Sequence, residues 1–154
     1  AVGAAYPKLT MTLFDLPAVV PAAQDRFGAA GMTDRTQIVP GSFRDQPLPR
    51  GADMISLVRV LYDHSDETVA DLLAAAYAAL PTGGRIVISE PMTGGAAPRR
   101  AGDAYFALYC MAMRTGRARS ADRIAALLQQ AGFNSLRLPK AARPFITSVV
   151  EGVR

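Results

Sequence analysis

Gly-Ala-Asp-Met-Ile-Ser-Leu-Val-Arg-Val-Leu-Tyr-Asp-His-Ser-Asp-Glu, residues Gly51 to Glu67, is the stretch on which the reading of this chain turns. From Met54 to Leu61 it is an almost unbroken aliphatic and β-branched run, broken only by Ser56 and Arg59. That pattern predicts a strand buried on both faces at the centre of a sheet. At Tyr62 the character changes, and a phenol, a carboxylate, the single histidine of the chain, a hydroxyl and two more acids follow within six positions. Ligands of an open parallel sheet sit in the crevice at the carboxyl ends of its strands. Titratable chemistry that begins where a central strand stops therefore predicts a site.

Working outward, Ser65-Asp66-Glu67 supplies a cap and two carboxylates for the positive end of a helix. Val69, Leu72, Leu73, Ala76 and Leu80 recur at helical spacing until Pro81-Thr82-Gly83-Gly84 stops them, and Arg85 to Glu90 reads as the next buried strand, again with an acid at its end. On the other side, Ala1 to Ala5 reads as the end of a helix stopped by Tyr6-Pro7, and Leu9 to Leu16 as a strand closed by Pro17. Pro17 can start a helix over Ala18 to about Phe27, ended by Gly28 and Gly31. A strand over Thr36 to Pro40 then leads into Gly41-Ser42-Phe43. Downstream, Met92 to Pro98 is a Gly and Pro loop, and Ala101 to Met113 is apolar nearly all round, as a core helix is; Met and aromatic side chains also make adaptable linings for large apolar ligands. Ser120 caps a helix with the face Ile124, Leu127, Leu128 and Ala131, ended by Gly132. Ser135 to Leu138 and Phe145 to Val153 are placed to form an antiparallel pair. The alternation of strand and helix predicts an α/β fold with a mostly parallel sheet.

Half of the 154 residues are hydrophobic, which excludes a disordered chain. Cys110 is the only cysteine, so no intrachain disulfide can form. No apolar run is long enough to span a bilayer, and no basic region leads into an apolar core at the N-terminus. A cytoplasmic location is expected. The net charge of +4 is concentrated in Arg99, Arg100, Arg114, Arg117, Arg119 and Arg123. A solvated face is the preferred reading, with peripheral contact to an anionic membrane surface, or to phosphates, as the functional one. Nucleic acid is not an expected partner, since no aromatic residues interleave with these arginines. No metal-ligand spacing is present either.

Phe14-Asp15-Leu16-Pro17, Gly41-Ser42-Phe43 with Pro47-Leu48-Pro49, Arg59-Val60-Leu61-Tyr62-Asp63-His64-Ser65-Asp66-Glu67, Leu80-Pro81-Thr82-Gly83-Gly84-Arg85 and Glu90-Pro91 occur in that order. Together they resemble the S-adenosylmethionine-dependent small-molecule O-methyltransferases, over nearly the whole chain. Within that family, Val60 to His64, Glu90-Pro91-Met92-Thr93-Gly94-Gly95 and Ala101-Gly102-Asp103-Ala104-Tyr105-Phe106 are most similar to the 1-hydroxycarotenoid O-methyltransferases of purple photosynthetic bacteria. The resemblance implies a Rossmann-like class I methyltransferase sheet, S-adenosylmethionine as cofactor and a small lipophilic hydroxylated substrate. The family pattern opens with a helical dimerisation domain, a first strand and a glycine-rich loop. None of these is found here, so residues 1–154 are expected to be part of a catalytic domain, homodimeric in the full-length protein and cytoplasmic or peripheral to the photosynthetic membrane.

By the same resemblance Asp15 accepts hydrogen bonds from the cofactor ribose, although it could instead cap a helix ahead of Pro17. Phe43 stacks on the adenine with Ser42 near its edge, where many members carry aspartate. Arg59 holds a position that contacts the cofactor in bacterial members, and an arginine inside a buried strand is costly unless paired. The family's base is a histidine followed by Asp-Trp; here Tyr62 stands at the histidine position and His64 at the tryptophan position. By chemistry His64 is the better base and by position Tyr62 is, while His64 could also only cover the pocket. Glu90 matches a glutamate that orients the base, and a second family glutamate is Ala118 here. Those departures keep open methylation of another small aromatic or polyketide hydroxyl, and a catalytically silent cofactor-fold protein that binds a partner.

Overall fold

The strand-forming residues before Pro17 and after Arg35 pair as the sequence predicts: β1 (Met11–Asp15) lies parallel to β2 (Thr36–Pro40), with Met11 opposite Thr36 and Asp15 opposite Pro40. The computed structural model describes residues 2–141 and 147–154 and divides into two compact units, one ending at Arg50 and one starting at Gly51. In the first unit a short helix α1 (Val2–Ala5) precedes β1, and α2 (Val20–Ala29) connects the two strands. Pro17 does not start α2. It sits at the second position of a turn closed by Val19 N donating to Leu16 O at 2.8 Å, a place its fixed φ suits, and Pro21 takes the first turn of the helix instead. Gly28 stays inside α2, and Gly31, at φ +63°, is the residue that ends it. The Arg35 guanidinium donates to the carbonyls of Gly3 (2.6 Å), Leu9 (3.0 Å) and Tyr6 (3.3 Å), which ties the first segment to the start of β2.

The second unit is a four-stranded sheet in the order β3 (Met54–Val58), β4 (Arg85–Glu90), β6 (Ser148–Val153), β5 (Asn134–Arg137). The β3–β4 pair is parallel and the other two pairs are antiparallel. Helix α3 (Asp66–Ala79) buries Val69, Leu72, Leu73 and Ala76, and α5 (Ala121–Gln130) buries Ile124, Leu127 and Leu128; with Ile86, Ile88, Phe133 and Val150 they make the core. Both helices start on a serine, Ser65 accepting from Thr68 N and Ser120 from Arg123 N. Replacing Ser65 with alanine is expected to lower unfolding free energy by about 1 kcal/mol with the denaturant slope unchanged, as read in urea melts.

Several expectations are corrected. β3 is an edge strand, not a central one: Met54 is 52% and Val58 57% exposed, while Leu57 is buried. A hydrophobic run reports what its residues prefer, not whether a neighbouring strand is there to receive it. Among the described residues no ladder joins β3 to β1, which lies in a separate sheet. β5 begins one residue earlier than predicted, and the predicted start of β6 at Phe145 lies outside the described residues. The apolar segment after Pro98 is a π-helical turn, Arg100–Phe106, running into α4 (Ala107–Met113). It is not core all round. Phe106 and Cys110, four residues apart, are buried, whereas Tyr105, Leu108, Met111 and Met113 are exposed, Met111 to 73%. Among the described residues no helix is long and apolar enough to cross a membrane.

Candidate active site

At the end of β3 the chain leaves the sheet. Arg59 still donates its amide to Ser89 O at 2.9 Å, but its φ of +57° turns the backbone aside into a 3₁₀ turn, Leu61–Asp63. The amides of this turn have no strand partner, and buried amides must be satisfied somewhere. Glu90, the last residue of neighbouring β4 and only 2% exposed, takes them: Oε1 accepts from Val60 N (2.8 Å) and Leu61 N (2.9 Å), and Oε2 from Tyr62 N (3.4 Å). Burial raises the Glu90 pKa; these backbone donors pull it back, the charge of Asp63 adds to the rise, and the net result lies above the ordinary value.

The carbonyls of the same turn are held from the opposite side. Arg119 Nη1 donates to Leu61 O and Nη2 to His64 O, each at 2.8 Å, and Nε donates to Asp66 Oδ1 at 2.8 Å. The Cys110 thiol donates to Tyr62 O at 3.5 Å. Gly116, at φ +72°, lies so close to the Tyr62 carbonyl that a Cβ there would collide with it. Arg119 is itself fixed by its backbone, its carbonyl accepting from Thr93 N at 2.9 Å just beyond β4.

On this braced turn the Tyr62 ring is buried, edge-on to Phe106 at 5.5 Å and to Tyr109 at 5.9 Å. The Arg59 guanidinium carbon lies 5.5 Å from the Phe106 centroid and 5.9 Å from that of Tyr62. Arg59 is therefore not a buried strand arginine; it stands exposed past the end of β3, held against aromatic faces. His64 is half-buried in extended backbone at the close of the turn. Asp63, beside it, is felt by its neighbours: its charge is the leading cause of the raised Tyr109 pKa and adds to burial in raising that of Cys110.

The first unit gathers Asp15, Ser42 and Phe43. Asp15 closes β1 with Oδ1 accepting from Leu16 N at 2.8 Å, so it does not cap α2, which begins farther on. Its carbonyl accepts from Gly41 N at 2.8 Å, which fastens the loop after β2 to the end of β1. Ser42 Oγ accepts from Arg44 N at 3.2 Å, and Phe43 is half-buried beside it. Each unit thus collects its candidate residues at the carboxyl ends of a parallel pair.

Sequence reasoning missed the inward role of Arg119. It counted this residue in a solvated basic face, yet the side chain is buried, and Arg117 and Arg123 also converge on Asp66 at 3.3 and 3.2 Å. Burial works to raise the Asp66 pKa, and the bonds from Arg119 and Arg123 with the attraction of Arg119 and Arg117 outweigh it, so the net shift is downward. The signal lay in the adjacency of Arg119 to the capping Ser120, which places it at the start of α5.

Residues 1–134 match the O-methyltransferase domain family. The chain is 56% identical over 149 residues to demethylspheroidene O-methyltransferase of Rhodobacter capsulatus and 54% identical over 154 residues to that of Cereibacter sphaeroides. These alignments cover 97% and 100% of the chain but 36% and 41% of the relatives, so the chain spans well under half of their length. Among solved structures, human N-acetylserotonin methyltransferase in complex with SAM superimposes with a TM-score of 0.81 at 28% identity, over 99% of this chain and 42% of that one. An O-methyltransferase family 2 protein from Planctomyces limnophilus in complex with apigenin gives 0.84 at 27% identity, over 99% of this chain and 45% of its own. With the family match covering most of its residues and an α/β fold like that of these structures, the chain belongs to the O-methyltransferase domain family.

Proposed function

We propose that the protein transfers the methyl group of S-adenosylmethionine to a hydroxyl of a hydroxycarotenoid, residues 1–154 supplying cofactor-binding and catalytic groups of its catalytic domain. The observation that carries the reading is the turn bearing Tyr62 and His64, braced through its amides by Glu90 and through its carbonyls by Arg119. A turn fixed on both sides suits a reaction whose acceleration comes largely from orientation. The demethylspheroidene relatives support a carotenoid acceptor, and the exposed Tyr105, Leu108, Met111 and Met113 offer apolar surface to a lipophilic one.

For the cofactor, the Asp15 carboxylate would take the ribose hydroxyls, the Phe43 ring the adenine face and Ser42 its edge. What supports this assignment is Gly41, where a Cβ would crowd the Gln46 side chain and the Phe14 ring and whose amide donates to the Asp15 carbonyl, so that the loop is set before any ligand arrives. When bound, S-adenosylmethionine supplies an electrophilic methyl group on a sulfonium. His64 would accept the proton of the acceptor hydroxyl, since imidazole has a pKa of about 6.5 against about 10 for a phenol. The Tyr62 ring, committed to packing against Phe106 and Tyr109, would line the site. We further read the working protein as a homodimer that touches a membrane surface through Arg100 and Arg114, which are not paired with Asp66.

Asp15→Asn tests the cofactor half. It keeps the shape and loses the charge that strengthens hydrogen bonds from both hydroxyls, so S-adenosylmethionine affinity is expected to weaken by about tenfold in calorimetry. Unchanged affinity would remove Asp15 from the site. The acceptor is tested by offering the complete enzyme a hydroxylated carotenoid and a flavonoid phenol side by side. Turnover of the phenol alone would move the assignment to an aromatic acceptor, and binding of cofactor without turnover of either to a silent protein.

A further inference from the structure

We infer that Arg119 is a positioning residue for the proposed methyl transfer, acting through the carbonyls of Leu61 and His64 on the turn that presents His64. The inference rests on the reading of that turn as the catalytic one. Four hydrogen bonds engage the guanidinium: Nη1 donates to Leu61 O (2.8 Å) and Arg117 O (3.1 Å), Nη2 to His64 O (2.8 Å), and Nε to Asp66 Oδ1 (2.8 Å), an oxygen that also lies 2.7 Å from Nη2 as an ion pair. The side chain is 2% exposed. A cation that deep is tolerated only with its donors satisfied and a counter-charge beside it, and Asp66 supplies that charge from the first turn of α3.

The arrangement links three elements. Arg119 stands at the entry to α5, its anchor is the start of α3, and its bonds to Leu61 O and His64 O close on both ends of the segment from Leu61 to His64. Glu90 fixes only the amides at the beginning of that segment. Arg119 holds the carbonyl at the His64 end, where the His64 amide also donates to Leu61 O at 3.1 Å, and the His64 ring sits on a backbone that Arg119 helps to set. Lysine cannot replace it, having three donors at a point and no planar fork to reach two carbonyls and a carboxylate together.

The test uses the complete enzyme with Arg119→Met and Arg119→Lys, and Arg117→Gln and Arg123→Gln as controls that touch only the exposed side of Asp66. With Arg119→Met, turnover is expected to fall by about 30- to 100-fold, the order expected for a misplacement near 1 Å, while KM for the methyl donor and its binding stoichiometry stay within twofold. Amide exchange should quicken in the peptide spanning residues 60–64 and stay slow at Ile86 to Ile88. Arg119→Lys should fall in between, and it bears the test alone if the methionine variant does not fold. The controls should match wild type within twofold.

A merely structural role predicts something else: stoichiometry and turnover falling together, with exchange rising across β4 as well. That result would overturn the inference, as would wild-type turnover in both Arg119 variants. Should the wild-type enzyme methylate no hydroxylated acceptor at all, the functional reading fails on its own. Local exchange at residues 60–64 then still decides whether Arg119 holds the turn.

Discussion

His64→Gln in the complete enzyme is expected to lower turnover by about 10²- to 10⁴-fold, the usual worth of general base catalysis, with affinity for S-adenosylmethionine nearly unchanged. Tyr62→Phe is expected to cost less than tenfold, because it removes a hydroxyl and keeps the ring that packs edge-on against Phe106 and Tyr109. An aliphatic alcohol is a weak acid, so its proton leaves as the carbon–oxygen bond forms, and the base must be within hydrogen-bond reach of the attacking oxygen. Position along the motif favours Tyr62; burial and packing favour His64. The turn places the two side chains in different settings, one enclosed among aromatic rings and one half-buried where the backbone straightens. Turnover that falls more for Tyr62→Phe than for His64→Gln would reverse the assignment. Small effects of both would leave orientation as the sole source of rate.

Much of this arrangement was legible in the sequence, and what was not has physical reasons. β4 was read to the residue because Ile86 and Ile88 alternate with partly exposed positions and a turn of Pro and Gly precedes them. The serine caps of α3 and α5 were equally plain. β3 was misjudged because its aliphatic run is the same whether one or two strands flank it. The 101–113 segment was misjudged because its composition says nothing about which side meets a partner: Phe106 and Cys110 turn inward to Tyr62, while Tyr105, Leu108, Met111 and Met113 stay exposed. Arg119 was hidden for another reason. Two of its partners are the carbonyls of Leu61 and His64, and a carbonyl has no letter in the sequence. Spacing can pair an arginine with an acid, but only the fold shows which backbone lies between them.

Glu90→Leu, a change that keeps the volume and removes both acceptors, is expected to cost about 3–5 kcal/mol of unfolding free energy, since three amides around Leu61 lose their partner at a buried side chain. Glu90→Gln should cost less, about 1–2 kcal/mol, because its carbonyl oxygen can still accept from Val60 and Leu61 while its amide faces the Tyr62 N–H. The dependence on pH then separates the forces acting on the carboxyl. Burial raises the folded pKa of Glu90 above its ordinary value of 4.5, and the three backbone donors reduce that rise without cancelling it. Between 4.5 and the folded value the folded protein holds more protons at this site than the unfolded chain does, so the contribution of Glu90 to stability is fullest on the acid side, declines as pH rises through the folded pKa and levels above it. Asp66 works in the opposite sense, its lowered pKa giving stability that is lost as pH falls through the folded value. Guanidinium melts of wild type and Glu90→Gln at pH 5 and pH 7.5 isolate the first effect, because Asp66 is common to both proteins. The wild-type advantage should be smaller at pH 7.5. An advantage that grows with pH would mean that the amides of Val60, Leu61 and Tyr62 outweigh burial, and that Glu90 is held as a carboxylate throughout.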